Sequence, residues 1–317
     1  MQYTLNRHIQ SITAFAPATC ANVAVGFDIL GFAFNAVGDH VTLTHRSDDE
    51  IVIEEIIATE SLPTDPEKNT ASFVIQKLCA DLQLNSGFSL KIKKGIPMSS
   101  GMGGSAASAV AALVALNAFL TPQLPLLELA RYALLGEALV SGQAHADNIV
   151  PCLFGGFTLI QSTNPMHVVQ LPLPNLFTVL VHPHLCVTTE SARKILKPEL
   201  PLTDYVKQSA NLAAFIAGLY QGNIHLLKHT LDDVLIESQR AQFVPGFYDI
   251  KQAALEAGAL GASFSGSGPS LFAFAETRKE AEHIADKMGE ACKKNGLTYD
   301  TWIDKMSKKA ACVTQLF

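Results

Sequence analysis

Three sets of residues in this chain have types and spacings suited to chemistry. GIPMSSGMGGSAAS, residues 95–108, packs glycines, serines and alanines between a strand-like run and an apolar helix-like run. His145 and Asp147 form an HxD pair, eight residues after the lone acid Glu137. Asp28, Arg193 and Arg240 are isolated charges far apart along the chain. A small-residue loop that opens a helix lets backbone N–H groups approach an anion, and the helix dipole adds to their attraction. Phosphate is the natural guest, although the same glycines would also serve a tight turn that only allows close helix packing.

Other chemistries fit less well. No lysine follows the last glycine of the loop, so the Walker pattern is not met. GMGGSA does satisfy the GxGxxA form of a dinucleotide fingerprint. Against that, FSLKIKK before it alternates apolar and polar residues, and Glu128, about where a ribose-binding acid would stand, lies within a helical pattern. The HxD pair lacks a third ligand at zinc spacing and has no GxSxG elbow to make it part of a nucleophilic triad. On its own, Glu137 is an acid on the exposed face of a helix, and each arginine is a solvated surface cation that could capture a carboxylate.

The elements that must position these groups follow from periodicity. HVTLTH (40–45) and IVIEEI (51–56) alternate as half-buried antiparallel strands, and FSLKIKK buries Phe88, Leu90 and Ile92 on one face. Helical spacing over EKNTASFVIQKLCADL points to Phe73, Leu78 and Leu82 as its buried positions. SAASAVAALVALNAFL is an alanine-rich buried helix, and LLELARYALLGEALVS follows a proline-marked break. TNP (Thr163 to Pro165) is a boundary turn, which predicts domains at 1–162 and 163–317. Past it, FTVLVHP is a strand, DYVKQSANLAAFIAGLY and NIHLLKHTLDDVL have helical periods, and a helix, a two-strand turn, a helix and a strand close the chain. Short alternating strands mixed with helices indicate an α+β fold, not a doubly wound sheet.

Composition narrows the partners. At 317 residues, nearly half hydrophobic, the chain can bury substantial cores. Its 23 basic and 29 acidic side chains give a net charge of −6, with no basic stripe for nucleic acid. The longest apolar stretch, 106–120, is broken by Ser108 and Asn117 and is too short for a membrane span. The six cysteines are scattered without CxxC pairing and suit reduced thiols; with no export-like segment in MQYTLNRHIQ, a cytoplasmic protein is expected.

Pro97 followed by SSGMGGSAAS resembles the phosphate loop of the GHMP small-molecule kinases, usually PxxxGLGSSAA. APATCANVAVGFDILG (16–31) is similar to the amino-terminal motif of that family, and ASFSGSGPSLFAF (262–274) to its carboxy-terminal glycine motif. Within the family, ANVAVGFD, SGQAHADNIVPCLFGG, VTTESARKIL and RAQFVPGF are most like members acting on L-homoserine. The resemblance implies two α+β layers, an amino-terminal domain like the ribosomal S5 domain 2 and a ferredoxin-like carboxy-terminal domain, with the active site between them. It implies ATP-dependent phosphorylation of the L-homoserine side-chain hydroxyl.

Site residues follow by the same likeness. Pro97, Ser99, Ser100, Gly101, Met102, Gly103, Gly104, Ser105 and Ala106 would surround the ATP phosphates, and Asn69 would lie at the adenine edge. Gly104 departs from the family's usual pair of serines. Ser105 and Glu137 would face Mg²⁺, Ser105 also being a candidate helix N-cap. Arg193 and Arg240 would bind the substrate carboxylate and Asp28 its ammonium. Asn22 and Asn148 would hold the reacting hydroxyl, while His145, Asp147 and Thr189 contribute polar contacts. Gly266 and Gly268 would form a tight turn bringing backbone N–H groups to the ligand. The first motif lacks the lysine found in mevalonate-kinase relatives, which leaves Asp147 as the one candidate base. The remaining readings are a kinase of another small alcohol, which would need no arginine pair, and a nucleotide-binding protein of this fold without turnover. A homodimer is compatible with the sheet edges of such a fold.

Overall fold

The computed structural model describes residues 3–142 and 145–317. In chain order its first part comprises Thr4–Leu5 (β1), Ser11–Ala21 (β2), Leu30–His45 (β3), Ile51–Ile57 (β4), Thr70–Asp81 (α1), Phe88–Lys93 (β5), Gly104–Phe119 (α2), Leu120–Thr121 (β6), Leu126–Ser141 (α3), Ile149–Phe154 (α4), Phe157–Thr163 (β7) and Met166–Leu171 (β8). The second comprises Phe177–Pro183 (β9), Thr189–Lys194 (α5), Leu202–Gln221 (α6), Ile224–Thr230 (α7), Glu237–Arg240 (α8), Phe247–Glu256 (α9), Gly261–Phe264 (β10), Leu271–Ala275 (β11), Arg278–Lys294 (α10), Tyr299–Lys305 (β12) and Cys312–Leu316 (β13).

The first sheet runs β13-β2-β3-β5-β4, with β7 pairing to the start of β3 and β8 to β7. It is antiparallel except for the parallel β4–β5 pair. Residues 166–171, beyond the expected boundary at 162/163, thus complete a hairpin in this sheet, and the last strand returns to pair with β2. Helix α2 packs on β2 and β3, flanked by α1 and α3. Apart from Ala118 its alanines and leucines are buried, as expected for a helix that is apolar nearly all round.

The second sheet has order β10-β11-β9-β12, all antiparallel, with helices α5–α9 between β9 and β10 and α10 between β11 and β12. This is the βαββαβ order of a ferredoxin-like domain. Its two-residue period divides two cores. Val179, Val181, Leu271 and Ala273 pack with α9 and α10, while Leu180, Phe272 and Phe274 join the larger core of the first sheet. There Phe274 lies 5.6 Å from Phe32 and 6.4 Å from Phe157, so aromatic contacts lock the two layers together.

Two local expectations change. In α1 the large apolar side chains that are fully buried are Val74, Ile75 and Leu78, beside Ala71 and Ser72, whereas Phe73 and Leu82 are partly exposed and Lys77 lies over the Phe73 ring. The helical period of NIHLLKHTLDDVL ends at Thr230. The Asp233 side chain accepts from the amides of Leu235, Ile236 and Glu237, an alternative to helix continuation that starts α8 instead. No helix among the described residues is long and apolar enough to cross a membrane. All six cysteines are free thiols, with Cys186 and Cys312 exposed.

Candidate active site

The glycine loop joins β5 to the N-terminus of α2. Gly103 is the N-cap at φ 72° and supplies no side-chain cap, and Ser105 stands inside the first turn rather than at the cap. Among the described residues no protein acceptor takes the amides from Ser99 through Ala106. A helix start with this many unused donors, at the positive end of a dipole, is built to receive an anion. Met102 and Ala106 are buried, so their side chains face the core and only their backbones can serve the loop.

Two glycines are required by close approach. A Cβ on Gly103 would stand 2.1 Å from Thr19 Oγ1 and 2.9 Å from Asn148 Oδ1, and one on Gly101 would stand 2.4 Å from the Ser265 carbonyl. Both positions also have positive φ, which disfavours any side chain. Gly104 differs: its nearest neighbours to an added Cβ are Ile96 at 3.4 Å and Lys94 Nζ at 3.6 Å, so a side chain fits there.

These close approaches tie three distant segments to the loop. Thr19 N donates to Met102 O at 3.0 Å, and Thr19 Oγ1 donates to Asn148 Oδ1 at 2.8 Å. Ser265 Oγ donates to Gly101 O at 2.9 Å, and Ser270 N to Ser100 O at 3.2 Å. Beneath the loop, Lys94 pairs with buried Asp39 and also donates to Gly104 O and Ser108 Oγ, while Asp39 accepts from the amides of Gly95 and Ile96. Burial makes such a pair sensitive to loss of either partner. The sequence reading missed Thr19, Asp39 and Lys94; the one available signal was an acid in the otherwise apolar strand around Val41.

The first motif approaches from the other side. Asn22, Val23 and Ala24 have φ of 70°, 47° and 58°, a left-handed run that non-glycine residues hold only under constraint from their surroundings. This turn points Asn22 at the last motif, where its Nδ2 donates to Gly266 O at 2.9 Å, while its Oδ1 accepts from the amide of Asp28. Asp28 receives both terminal nitrogens of Arg193, at 2.7 and 3.0 Å. Arg240, buried to 3 % exposure, donates to Ala192 O and Gly266 O. Both guanidinium carbons lie 5.2 Å from the centre of the Phe27 ring, another residue the sequence reading had not singled out.

The electrostatics follow from crowding. Burial, and then Arg193 nearby, lower the Arg240 pKa to about 10, which leaves it charged at neutral pH. His145 lies 4.0 Å from Asp28, and burial followed by Arg193 lowers its pKa, so it is neutral above pH 7. Asp147, 4 % exposed with no partner for Oδ1 among the described residues, is pushed up to about 7 by burial, then by Asp28 and Glu137. Ser105 Oγ donates to Glu137 Oε2 at 2.7 Å beside the helix start. No cluster of three or more His, Cys, Asp or Glu side chains among the described residues could hold a metal by itself. A hydroxyl and a carboxylate nevertheless fit a hard cation that takes its other ligands from phosphate and water.

Other expected positions fall differently. Asn69 caps α1, accepting from Ala71 N and donating to Pro63 O, so both ends of its amide are engaged. Thr189 is exposed at the start of α5, and its neighbour Thr188 makes the cap. The N–H groups of Gly266 and Gly268, expected to face the ligand, donate instead to Ala21 O and Ser265 O. Their turn therefore orients neighbours, and the Gly266 carbonyl is its working atom. The stretch SGQAHADN includes residues 143 and 144, which lie outside the described residues.

Comparison with known proteins places this geometry. Residues 69–156 match the family described as the GHMP kinases N terminal domain, and 215–294 match GHMP kinases C terminal. A homoserine kinase of Chloroherpeton thalassium is 43% identical over 316 residues, covering 96% of this chain and 99% of its own. One from Xylella fastidiosa is 45% identical over 300 residues, covering 94% and 92%. The crystal structure of homoserine kinase from Cytophaga hutchinsonii superposes with a TM-score of 0.93 at 40% identity, covering 96% of this chain and 98% of that one. The L. major mevalonate kinase, at 15% identity and a TM-score of 0.73, shares the fold.

Proposed function

The chain belongs to the GHMP kinases, and from that premise we propose that it transfers the γ-phosphoryl group of ATP to the side-chain hydroxyl of L-homoserine, giving O-phospho-L-homoserine for threonine synthesis. One observation carries the choice of substrate: a carboxylate, Asp28, and two guanidiniums, Arg193 and Arg240, gathered around Phe27 next to an anion-binding helix start. That set is the complement of an amino-acid zwitterion. Without substrate Asp28 and Arg193 neutralise one another; a zwitterion brings a charge for each of them, whereas a sugar or an isoprenoid alcohol brings none to separate the pair.

In this reading the substrate ammonium takes Asp28 and its carboxylate takes Arg193 and Arg240, with bidentate guanidinium contacts fixing orientation. Asn148, its Oδ1 held by Thr19, directs the hydroxyl toward the glycine loop, while Asn22, engaged at both ends by Gly266 O and the Asp28 amide, holds the shape of the pocket beside it. The loop amides bind the phosphates. Ser105 and Glu137 would hold Mg²⁺, which supplies charge neutralisation of the phosphates when bound.

The hydroxyl oxygen forms a bond to the γ-phosphorus as the bond to the bridging oxygen breaks. ADP leaves, and the hydroxyl proton passes to phosphate or solvent. Phosphoryl transfer of this kind depends on alignment and charge stabilisation more than on a strong base. We assign the reaction to the cytoplasm, where ATP is available to it.

The test is ADP release with Mg²⁺ and ATP over a panel of L-homoserine, L-threonine, L-serine, mevalonate and galactose. Turnover confined to homoserine is expected. Turnover with mevalonate or galactose in its place would overturn the zwitterion reading while leaving the fold intact, and silence throughout would favour binding without transfer.

A further inference from the structure

Arg240 sits on α8, a single turn of four residues that cannot fix a side chain by its own hydrogen bonds. What fixes it lies behind it. Glu237, one turn earlier and 5 % exposed, accepts from Lys251 Nζ at 2.6 and 2.7 Å and from Ser263 Oγ at 2.6 Å. Lys251 belongs to α9 and Ser263 to β10, both packed on the core of the second sheet. At the other end, Asp233 accepts three amides of the turn and a bond from Gln208 of α6.

The clamp and the substrate residues share one space. Asp233, Glu237, Ser263 and Arg240 line the same small cavity, about 10 Å³, as Asn22 and Phe27. Arg240 in turn reaches Ala192 O, the residue before Arg193, and Gly266 O, which also holds Asn22. A displacement of α8 would therefore be felt by both arginines and by the asparagine.

We propose that Glu237, anchored by Lys251 and Ser263, is a positioning residue that sets Arg240 for the substrate carboxylate. The claim rests on the functional reading above for its substrate, although not for its mechanics. A buried carboxylate that takes three hydrogen bonds from two donor groups holds one geometry, because any movement would leave a charge unpaired in a low-dielectric site. The second sheet thus bears on the acceptor pocket through this ion pair, beside the bonds that Ser265 and Ser270 make to the phosphate loop.

The test is a set of variants read by KM and kcat separately. Glu237→Gln keeps the shape and removes the charge, and it should raise the KM for L-homoserine about tenfold with the KM for ATP within twofold. Ser263→Ala, which removes one of the three bonds, should shift the same constant less, and it guards against a Glu237 variant that does not fold. Lys251→Arg, which keeps the cation, should stay within threefold of wild type.

A double-mutant cycle separates positioning from mere scaffolding. In an Arg240→Leu background, Glu237→Gln should add almost nothing to the homoserine KM. A further tenfold rise there, or an equal rise in the KM for ATP, overturns the proposal. A second readout needs no turnover: the Arg240 Nε–H, bonded to Ala192 O, should exchange with solvent at least tenfold faster in Glu237→Gln. Unchanged exchange refutes the positioning role whatever the substrate, whereas faster exchange in a protein inactive on homoserine would refute only the functional reading.

Discussion

Replacing Asp147 with asparagine should stabilise the folded chain at pH 8 and have little effect near pH 4. Burial first, then Asp28 and Glu137, raise this carboxyl from the ordinary 3.8 to about 7, and its Oδ1 has no partner among the described residues. Below pH 3.8 both folded and unfolded chains carry the proton. Between that value and about 7 only the folded chain holds it, so stability falls as pH rises, by about 1.4 kcal/mol per pH unit, and levels off above. Integrated over that window the ionised carboxylate destabilises the fold by on the order of 4 kcal/mol, an upper bound because relaxation and water entry reduce it. Asparagine keeps the shape and cannot ionise.

The assay is urea unfolding of both proteins from pH 5 to pH 8.5, followed by far-UV circular dichroism. The stability difference in favour of Asp147→Asn should grow with pH up to about 7 and then level. A difference that is constant across the range, or that favours wild type increasingly as pH rises, would refute the account of Asp147 as a desolvated acid. Because alignment and charge neutralisation carry the rate, kcat at pH 8 should fall less than about tenfold. That is short of the 10²-fold to 10⁴-fold of a lost general base.

Three further outcomes can be checked together. Glu137→Ala should raise the Mg²⁺ concentration needed for half-maximal activity at least tenfold while the homoserine KM changes little, measured by titrating the metal at saturating substrates. Lys94→Met leaves Asp39 buried without its cation and should lower unfolding stability by about 3–5 kcal/mol; Asp39→Asn added to it should recover much of that loss. Gly104→Ser meets nothing closer than 3.4 Å and replaces a flexible residue at a helix start, so it should raise stability by about 0.5 kcal/mol and keep activity within twofold, as thermal melts and ADP release would show.

The sequence by itself determined the parts that depend on local rules. Apolar alternation marked β5 and the end of β3, the all-apolar run marked α2, and the small residues between β5 and α2 marked an anion site, because backbone access and helix dipoles follow from adjacent residues alone. Three motifs in order then identified the family and most of the charged pocket. Tertiary structure decided which isolated charges meet. Asp28 and Arg193, 165 positions apart, become one bidentate pair, and nothing in either neighbourhood encodes that contact.

The same holds for the supports. Asn69 has the type of a base-reading residue, yet a nearby helix start claims both ends of its amide. The amides of Gly266 and Gly268 look available in sequence and are taken by carbonyls, that of Ala21 being supplied from the far end of the chain. Thr19, Lys94 and Glu237 were illegible because their roles come from burial against distant segments, and burial is a property of the packed layers. Local sequence sets what a group can do; whether it is desolvated, paired or free depends on what the remainder of the chain places against it.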